Sequence, residues 1–371
     1  MKTWHVAPKE ILVFRTCGLG DFILSAPAFH MLRELFPDAQ ISLLTTSSSQ
    51  KTMRNKVTAY AGGAKAAPWI ELLRPHLIDD VILIDDALSL ADIRAAKQTL
   101  SQRKYDLVIQ MMDTGIPWRR RLKKLAYIFA LLGPVRQIGW RGRGTIEMGY
   151  VPKVDPKLGH HVHGPLQFMA ELNPSAPYSD ADIRFDLRPS ASAQAWADDW
   201  VAGHVGAGRR LAVIAPGALH AHKDWPLENY AALAEWLLAR YDDLVIAVSG
   251  SPADATKGEI LSAVHLDRIL NLCGVTNIDQ STSLFRHAAM VVGNDGGAMH
   301  MADAVGAPTI SIVPGLEFPD SIEPWHNHDR AIRLPIDCAP CYSFTFCPKE
   351  HRRCMIDIPV ERVFEECARI L

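Results

Sequence analysis

The sequence has no marked excess of charge of either sign. It contains 39 lysine and arginine residues against 41 aspartate and glutamate residues, a formal net charge of -2 at pH 7. Domains that bind nucleic acid through its phosphates are usually strongly basic, so the composition gives no reason to expect a nucleic-acid partner. Hydrophobic residues make up 48% and charged residues 22% of the chain, which is typical of an ordinary globular protein.

Long apolar segments are also missing. The longest candidate, LAYIFALLG at 125–133, falls far short of the roughly 20 residues that a membrane-spanning helix needs. The N-terminal stretch MKTWHVAPKEILVF lacks the apolar region and small-residue cleavage site of a secretory signal. We therefore expect a cytoplasmic protein that does not cross a membrane.

A third absence concerns the first glycine turn, CGLGDFIL, which follows the strand-like run ILVF. Gly18 and Gly20 occupy the first two positions of a G-x-G-x-x-G dinucleotide fingerprint, but Ile23 occupies the third. The next apolar run, ISLLTTSSS, does not end in the acidic residue that would bind a ribose. A dehydrogenase-like cofactor site is therefore not expected at this turn.

Short apolar runs alternate with amphipathic segments along the chain. In the first half, ILVF, ISLLT, DVILID and DLVIQM predict buried strands, and segments such as SAPAFHMLRELF predict helices between them. A second series begins with RLAVIAPG and ends with PTISIVPG. This βαβ rhythm predicts an α/β fold with two parallel sheets, and a length of 371 residues also favours two domains.

The segment 139–189 is rich in glycine, proline, histidine and charge and predicts the domain boundary. We expect one Rossmann-like domain over residues 1–175 and a second over 176–355. A C-terminal helix over 356–371 is expected to pack back on the first domain. Two such domains facing a central cleft would bind ligands outside the carboxyl ends of their strands.

Asp21 lies where the first glycine turn becomes a helix. The helix dipole stabilises a carboxylate in the first turn by about 0.3–1 kcal/mol, so Asp21 is either a helix-capping residue or a general base that accepts a proton from an attacking hydroxyl. Asp113, which follows the predicted strand DLVIQM, is the competing candidate for the base.

Lys223 precedes a helix that Trp225 and Pro226 open. Its charge would add to the unpaired N–H groups of the helix start and suit a phosphate; the alternative is a solvated loop lysine.

The turn NDGG follows another predicted strand and exposes backbone N–H groups that suit a diphosphate. His300 lies one turn into the next helix, as a ligand or as a packing residue. Three anion-suited turns in corresponding places of two Rossmann-like domains favour a phosphate-binding function. The residues of this third turn are Asp295, Gly296 and Gly297.

Five basic residues lie close together in WRRRLKKLAYIFALLG. They either form the solvated start of a helix or face an anionic acceptor or a membrane surface, and Arg141 and Arg143 are candidates for the same surface. The five residues are Arg119, Arg120, Arg121, Lys123 and Lys124.

Four of the seven cysteines cluster near the C-terminus with the spacing C-x2-C-x5-C-x6-C, and His351 is nearby. Four thiols could bind zinc tetrahedrally, although the spacing is not that of a standard zinc ribbon. The alternative is a thiol-rich structural loop without metal. The four residues are Cys338, Cys341, Cys347 and Cys354.

Five segments together resemble the ADP-heptose:lipopolysaccharide heptosyltransferase family of bacterial glycosyltransferases. The resemblance runs in order from about residue 11 to residue 363. It implies a GT-B fold and an inverting transfer of a heptose or similar sugar from a nucleotide diphosphate donor, ADP-heptose, to an anionic lipopolysaccharide-core acceptor. It also implies no cofactor and no metal at the diphosphate. The segments are RTCGLGDFILSAPAFHMLRELFPDAQISLL, HKDWP, SGSPAD, NDGGAMHMADAVGAPTISIVPG and CAPCYSFTFCPKEHRRCM.

The resemblance also implies roles for single residues. Asp21 matches the family's proposed general base and Lys223 the lysine that meets the donor phosphates. The turn that begins at Asp295 and reaches His300 matches the D-S/T-G-x-x-H turn near the diphosphate and sugar, and Asp254 is the nearest match to a carboxylate that holds the ribose. The basic residues at 119–124 would suit the acidic sugars and phosphates of the acceptor and peripheral contact with the cytoplasmic face of the inner membrane.

Gly296 departs from the family pattern, which has serine or threonine at this position, so a hydroxyl contact to the phosphates is missing.

Two other functions fit the same architecture. One is a nucleotide-sugar epimerase or hydrolase, which needs no acceptor. The other is a noncatalytic sugar-nucleotide-binding protein, for which Gly296 is the indication.

Overall fold

The computed structural model describes residues 7–15, 17–47, 67–74, 76–85, 94, 97–111, 132, 135, 137–138, 159–173 and 178–371. The chain divides into two compact units, the first ending at Arg188 and the second beginning at Pro189. The division lies later than residue 175, near the end of the segment whose composition indicated a boundary.

The first unit contains a parallel sheet whose five described strands have the order β3-β2-β1-β4-β5. The strands are β1 (Glu10–Phe14), β2 (Gln40–Ser47), β3 (Asp80–Asp85), β4 (Leu107–Gln110) and β5 (Gln137–Ile138). The described helices are α1 (Leu19–Ile23), α2 (Ala26–Leu35) and α3 (Met169–Leu172), with 3-10 turns at Pro68–Leu73, His161–His163, Pro165–Phe168 and Asp180–Asp182.

The second unit contains a parallel sheet with the order β10-β9-β6-β7-β8. Its strands are β6 (Arg210–Ala215), β7 (Leu244–Val248), β8 (Ile269–Asn271), β9 (Ala288–Asn294) and β10 (Thr309–Ile312). Its helices are α4 (Ala191–His204), α5 (Leu227–Arg240), α6 (Ala255–Ser262), α7 (Ile278–Phe285), α8 (Gly297–Ala304), α9 (Arg353–Ile356) and α10 (Val360–Ile370), with 3-10 turns at Ala221–Lys223, Pro252–Asp254 and His328–Arg330.

The two sheets have the same topology. In each, the first strand is central, the second and third extend to one side, and the fourth and fifth extend to the other. The strand order therefore reverses between β1 and β4 and between β6 and β9, the points at which open α/β sheets bind ligands. The predicted α/β class with two Rossmann-like parallel sheets is confirmed.

Sequence patterning explains the packing of these elements. The strand EILVF is buried along four of its five residues, as expected for a parallel strand covered on both faces. Helix α5 buries one stripe at helical spacing, and each fully buried aliphatic side chain contributes roughly 1.5–3 kcal/mol. The stripe consists of Tyr230, Leu233, Ala234, Leu237 and Leu238.

The C-terminal helix α10 packs within the second unit, against α5, β9 and β10. Val363 and Cys367, one turn apart, are fully buried in the core of this unit. Its apolar face covers the second unit's own sheet, and the expected packing of this helix on the first domain stays a prediction. Among the described residues, no helix combines the length and the apolar character needed to cross a membrane.

Candidate active site

Two of the predicted donor-binding residues come together at the switch point of the second sheet. Lys223 ends the 3-10 turn that follows β6, and Asp295 directly follows β9. The Lys223 Nζ lies 2.6 Å from Asp295 Oδ2. Because β6 and β9 are neighbours in the sheet, the pair lies where their carboxyl ends meet. Lys223 is also mostly buried, with 17% of its side chain exposed, and so it is not a solvated loop lysine.

Asp295 is a buried anion that holds this lysine. Burial acts to raise the pKa of Asp295, but electrostatic interactions with Lys223 and His300 and the hydrogen bond from Lys223 outweigh it. The pKa of Asp295 therefore lies below its usual value. The carboxylate is ionised at neutral pH and fixes the ammonium group in one place.

Gly293 allows the ends of β6 and β9 to approach closely. A Cβ at this position would lie 2.4 Å from the carbonyl oxygen of Ala215 and 2.8 Å from the Ala215 Cβ. No side chain fits at such distances without displacing the backbone. The glycine in VVGNDGG is thus required by the approach of the two strands.

Gly296 is different, because neither space nor backbone conformation demands glycine there. It is the N-cap of α8, with an extended φ of 170° and no side-chain cap. A Cβ at this position would have the Asn294 carbonyl oxygen, 3.8 Å away, as its nearest neighbour. Met299 N donates to the Gly296 carbonyl at 3.1 Å, so the N–H groups that precede it in the first turn of α8 are the ones suited to an anion. His300 is buried on the same helix.

Asp254 lies beside the end of β6. A Cβ on Gly217 would come within 2.5 Å of Asp254 Oδ2. This oxygen caps a 3-10 turn by accepting from Ser251 N at 3.0 Å and Ser251 Oγ at 2.7 Å. Asp254 Oδ1 lies 3.4 Å from Lys257 Nζ. The carboxylate predicted to hold the ribose therefore also has a local structural role.

Lys257 and Arg352 also hold the loop that contains Lys223, and neither residue was predicted from the sequence. Lys257 Nζ donates to Asp224 Oδ2 at 2.8 Å and to the Pro216 carbonyl at 3.3 Å, and Arg352 Nη2 donates to the Asp224 carbonyl at 2.6 Å. Burial raises the pKa of Asp224 against the opposing hydrogen bond from Lys257. No sequence signal separates either residue from solvated surface cations.

Asp21 is the third residue of the short helix α1 and is exposed. Gly18, not Asp21, occupies the N-cap position. The Asp21 carbonyl accepts from Arg15 Nη2 at 3.0 Å and from Ser25 Oγ at 2.7 Å. Buried Arg15 also donates to the Met111 carbonyl at 3.2 Å. Since Arg15 follows β1 and Met111 follows β4, Asp21 is anchored at the switch point of the first sheet.

Several predicted residues lie outside the described residues. They are the competing base Asp113 and the basic residues Arg119, Arg120, Arg121, Lys123, Lys124, Arg141 and Arg143.

The clustered cysteines are free thiols in this structure. Cys338 Sγ lies 3.9 Å from His351 Nε2. Burial raises the pKa of the Cys354 thiol, and electrostatic interactions with Cys341, Cys347 and Cys338 act in the same direction. Within the part of the chain that the structure describes, no group of three or more His, Cys, Asp or Glu side chains is placed to hold a metal ion.

Comparisons with known proteins match nearly the whole chain. The family glycosyltransferase family 9 (heptosyltransferase) matches residues 93–349. Lipopolysaccharide heptosyltransferase 2 of Salmonella typhimurium is 32% identical, and lipooligosaccharide heptosyltransferase 2 of Campylobacter jejuni is 23% identical, each over 98% of both chains.

Solved structures agree in fold. The E. coli ADP-heptose lipopolysaccharide heptosyltransferase II has a TM-score of 0.67 at 20% identity and is matched over 97% of this chain and 98% of its own. A family 9 glycosyltransferase from Veillonella parvula has a TM-score of 0.70 at 18% identity, with 98% and 97% covered. These likenesses confirm the predicted GT-B fold. The chain belongs to glycosyltransferase family 9, the heptosyltransferases, and is a glycosyltransferase.

Proposed function

We propose that this glycosyltransferase moves a heptose from ADP-heptose to a lipopolysaccharide-core acceptor, with inversion at the anomeric carbon and without a metal ion at the diphosphate. The observation that carries the proposal is the Lys223–Asp295 pair at the carboxyl ends of β6 and β9. Open α/β sheets bind nucleotides at this position. The names of the Salmonella and Campylobacter relatives support heptose as the transferred sugar.

The donor diphosphate is the leaving group in this reaction and gains negative charge as the glycosidic bond breaks. Lys223 and the N–H groups at the start of α8 supply the opposing positive potential. Asp295 orients the lysine through their hydrogen bond. Because these groups belong to the chain itself, the proposal needs no metal ion to neutralise the ADP that leaves.

Asp21 is the proposed general base. As the acceptor hydroxyl oxygen bonds to the anomeric carbon, its proton passes to the Asp21 carboxylate and the bond from that carbon to the ADP oxygen breaks. Attack opposite the leaving group inverts the configuration, and one carboxylate suffices. The exposure of Asp21 and its anchorage near the carboxyl ends of β1 and β4 support this role.

The chain contains a D-x-D sequence at 180–182, a pattern that metal-using sugar transferases often present. Here Asp182 Oδ2 accepts from Ser179 N at 2.7 Å and from Ser179 Oγ at 2.8 Å, so it caps a 3-10 turn. This local role supports the proposal that metal binding at this pair is not part of catalysis.

We place the reaction on the cytoplasmic side of the inner membrane, with the anionic acceptor facing the basic residues at 119–124. An acceptor rich in phosphates and acidic sugars suits this cluster because several cations add to the affinity. The acceptor, the linkage and peripheral membrane contact are parts of the proposal.

The test is to incubate purified protein with ADP-heptose, with and without a heptose-accepting lipopolysaccharide core, and to measure ADP release and the anomeric configuration of the product. We expect ADP release that requires the acceptor, continues in EDTA and gives the inverted anomer. Conversion of donor without acceptor would indicate an epimerase or hydrolase. Donor binding without turnover on any core acceptor would indicate a noncatalytic binding protein.

A further inference from the structure

The structure assigns a positioning role to Asn294, the last residue of β9. We propose that its side-chain amide fixes the Lys223 loop relative to Asp295 and thereby sets the affinity for the donor diphosphate. This inference rests on the proposed function, in which Lys223 meets that diphosphate.

The Asn294 side chain is buried, with 1% exposed, and makes three hydrogen bonds to residues far away in sequence. Its Oδ1 accepts from Trp225 N at 2.9 Å and from Tyr230 OH at 3.0 Å, and its Nδ2 donates to the Pro216 carbonyl at 2.8 Å. A backbone N–H can only donate and a carbonyl can only accept. The amide therefore has one possible orientation, in which all three groups are satisfied.

The positions of these partners give the amide its proposed role. Pro216 directly follows β6, and Trp225 directly precedes the Pro226 N-cap of α5. These two residues bracket the segment 217–224, which contains Lys223. Asn294 thus holds both ends of the lysine segment, while the next residue, Asp295, pairs with the lysine itself. The loop and the turn are held as one unit.

Removal of the amide would leave several buried polar groups without partners. Trp225 and Tyr230 are 1% and 0% exposed, so water cannot readily replace the lost bonds. The ends of the segment would then be free to shift, and the ammonium of Lys223 would no longer be presented at a fixed place. A phosphate site binds its ligand less tightly when the positive charge that it presents is no longer held in one position.

The variants Asn294→Ala and Tyr230→Phe should weaken donor binding to different extents. Asn294→Ala removes all three bonds, whereas Tyr230→Phe removes one and leaves both ends of the loop attached. Ile269→Ala is the control for stability, because Ile269 begins β8, is fully buried in the same core and contacts neither loop through a hydrogen bond. Lys223→Ala, alone and combined with Asn294→Ala, tests whether the amide acts through the lysine.

The measurement is ADP binding by calorimetry at a temperature well below unfolding, together with KM and kcat for ADP-heptose. We expect Asn294→Ala to weaken ADP binding about tenfold and to raise KM more than it lowers kcat, and Tyr230→Phe to weaken binding about threefold. In the Lys223→Ala background, Asn294→Ala should change ADP affinity little, because the group it positions is gone. Ile269→Ala should lower the unfolding temperature and leave ADP affinity unchanged.

The proposal is overturned if Asn294→Ala binds ADP like the wild type, if it weakens binding by the same factor with and without Lys223, or if Ile269→Ala weakens binding as much. Should Asn294→Ala fail to fold, wild-type affinity in Tyr230→Phe also overturns it. A wild-type protein that binds neither ADP nor ADP-heptose would overturn the proposed function and this inference together. Tight binding by the wild type with no effect of Asn294 overturns the inference alone.

Discussion

Lys223 and Asp295 are 72 residues apart in the sequence, and their side chains meet at 2.6 Å at the switch point of the second sheet. Both side chains are mostly buried, so this is not a surface ion pair, and in the proposed function its lysine meets the donor diphosphate. A buried pair stabilises a fold only weakly, but loss of one partner leaves an isolated charge that is costly. This asymmetry separates the contributions of the two residues to folding and to donor binding.

Asp295→Asn should destabilise the second unit by about 1.5–3 kcal/mol, because Lys223 loses a charged hydrogen-bond partner. Lys223→Ala should weaken ADP binding about tenfold or more. The double variant should regain part of the stability that Asp295→Asn loses, since no unpaired ammonium remains. Urea unfolding and ADP calorimetry on the three proteins measure these effects. Equal stability of Asp295→Asn and wild type would contradict the structural part of this argument.

Asp21→Asn should reduce kcat by about 10²–10⁴, the usual contribution of a general base, with little change in ADP affinity or unfolding temperature. The amide keeps the size of the side chain, and the anchoring hydrogen bonds use the Asp21 backbone carbonyl rather than its carboxylate. Asp38→Asn is the matched control, since Asp38 is exposed beyond the other end of α2. Comparable kcat values for the Asp21 variant and this control would exclude Asp21 as the base.

The sequence was sufficient for the parts of the molecule that rest on local patterns. Buried strands such as EILVF and helices such as α5 follow from hydrophobic periodicity, and the Rossmann-like sheets follow from the alternation of these elements. Lys223, Asp295 and Gly296 were selected because turns after parallel strands are where anions bind. The structure brings Lys223 and Asp295 together, and the role of all three in donor binding stays a prediction. The roles of Asp21 and Asp254 as base and ribose ligand remain predictions.

Residues that act through long-range contacts could not be found in this way. Asn294 resembles an ordinary turn residue until Trp225, Tyr230 and Pro216 are seen around it. Lys257 looks like a solvated helix residue until the fold brings it to Asp224. The surface that α10 covers in the second unit could not be identified from the sequence for the same reason, because an amphipathic stripe shows that a helix is buried on one face but not which surface covers it.

Two glycines three residues apart should respond in opposite ways to added side chains. Gly296→Ser fits the open space at the N-cap of α8 and should stabilise that helix by a few tenths of a kcal/mol. Its hydroxyl can also reach an anion at the helix start, so we expect a lower KM for ADP-heptose. Gly293→Ala is the contrasting variant: its Cβ would lie 2.4 Å from the Ala215 carbonyl oxygen, and we expect a loss of both stability and donor binding. A higher KM in Gly296→Ser would contradict the argument.

The contact between His326 and Asp303 should make stability depend on pH. Asp303, buried on α8, accepts from His326 Nδ1 at 3.0 Å and from Asn327 Nδ2 at 2.6 Å. The hydrogen bond to Asp303 raises the pKa of His326 against the opposing effect of burial. Burial acts to raise the pKa of Asp303, but its hydrogen bonds with His326 and Asn327 hold the pKa below its usual value.

Because the pKa of His326 is raised on folding, its stabilising effect is fully present below the ordinary histidine pKa of about 6.5. The effect is lost as the pH rises through the higher pKa of the folded state. His326→Gln should therefore lower the free energy of unfolding by more at about pH 5.5 than at about pH 8.5, two values on either side of the transition. Urea unfolding of both proteins at the two pH values measures the difference. His328→Gln, two residues away and bonded to the Trp325 carbonyl, is the control for the loss of an imidazole from this segment. An equal cost at both pH values would mean that His326 stays neutral in the folded protein.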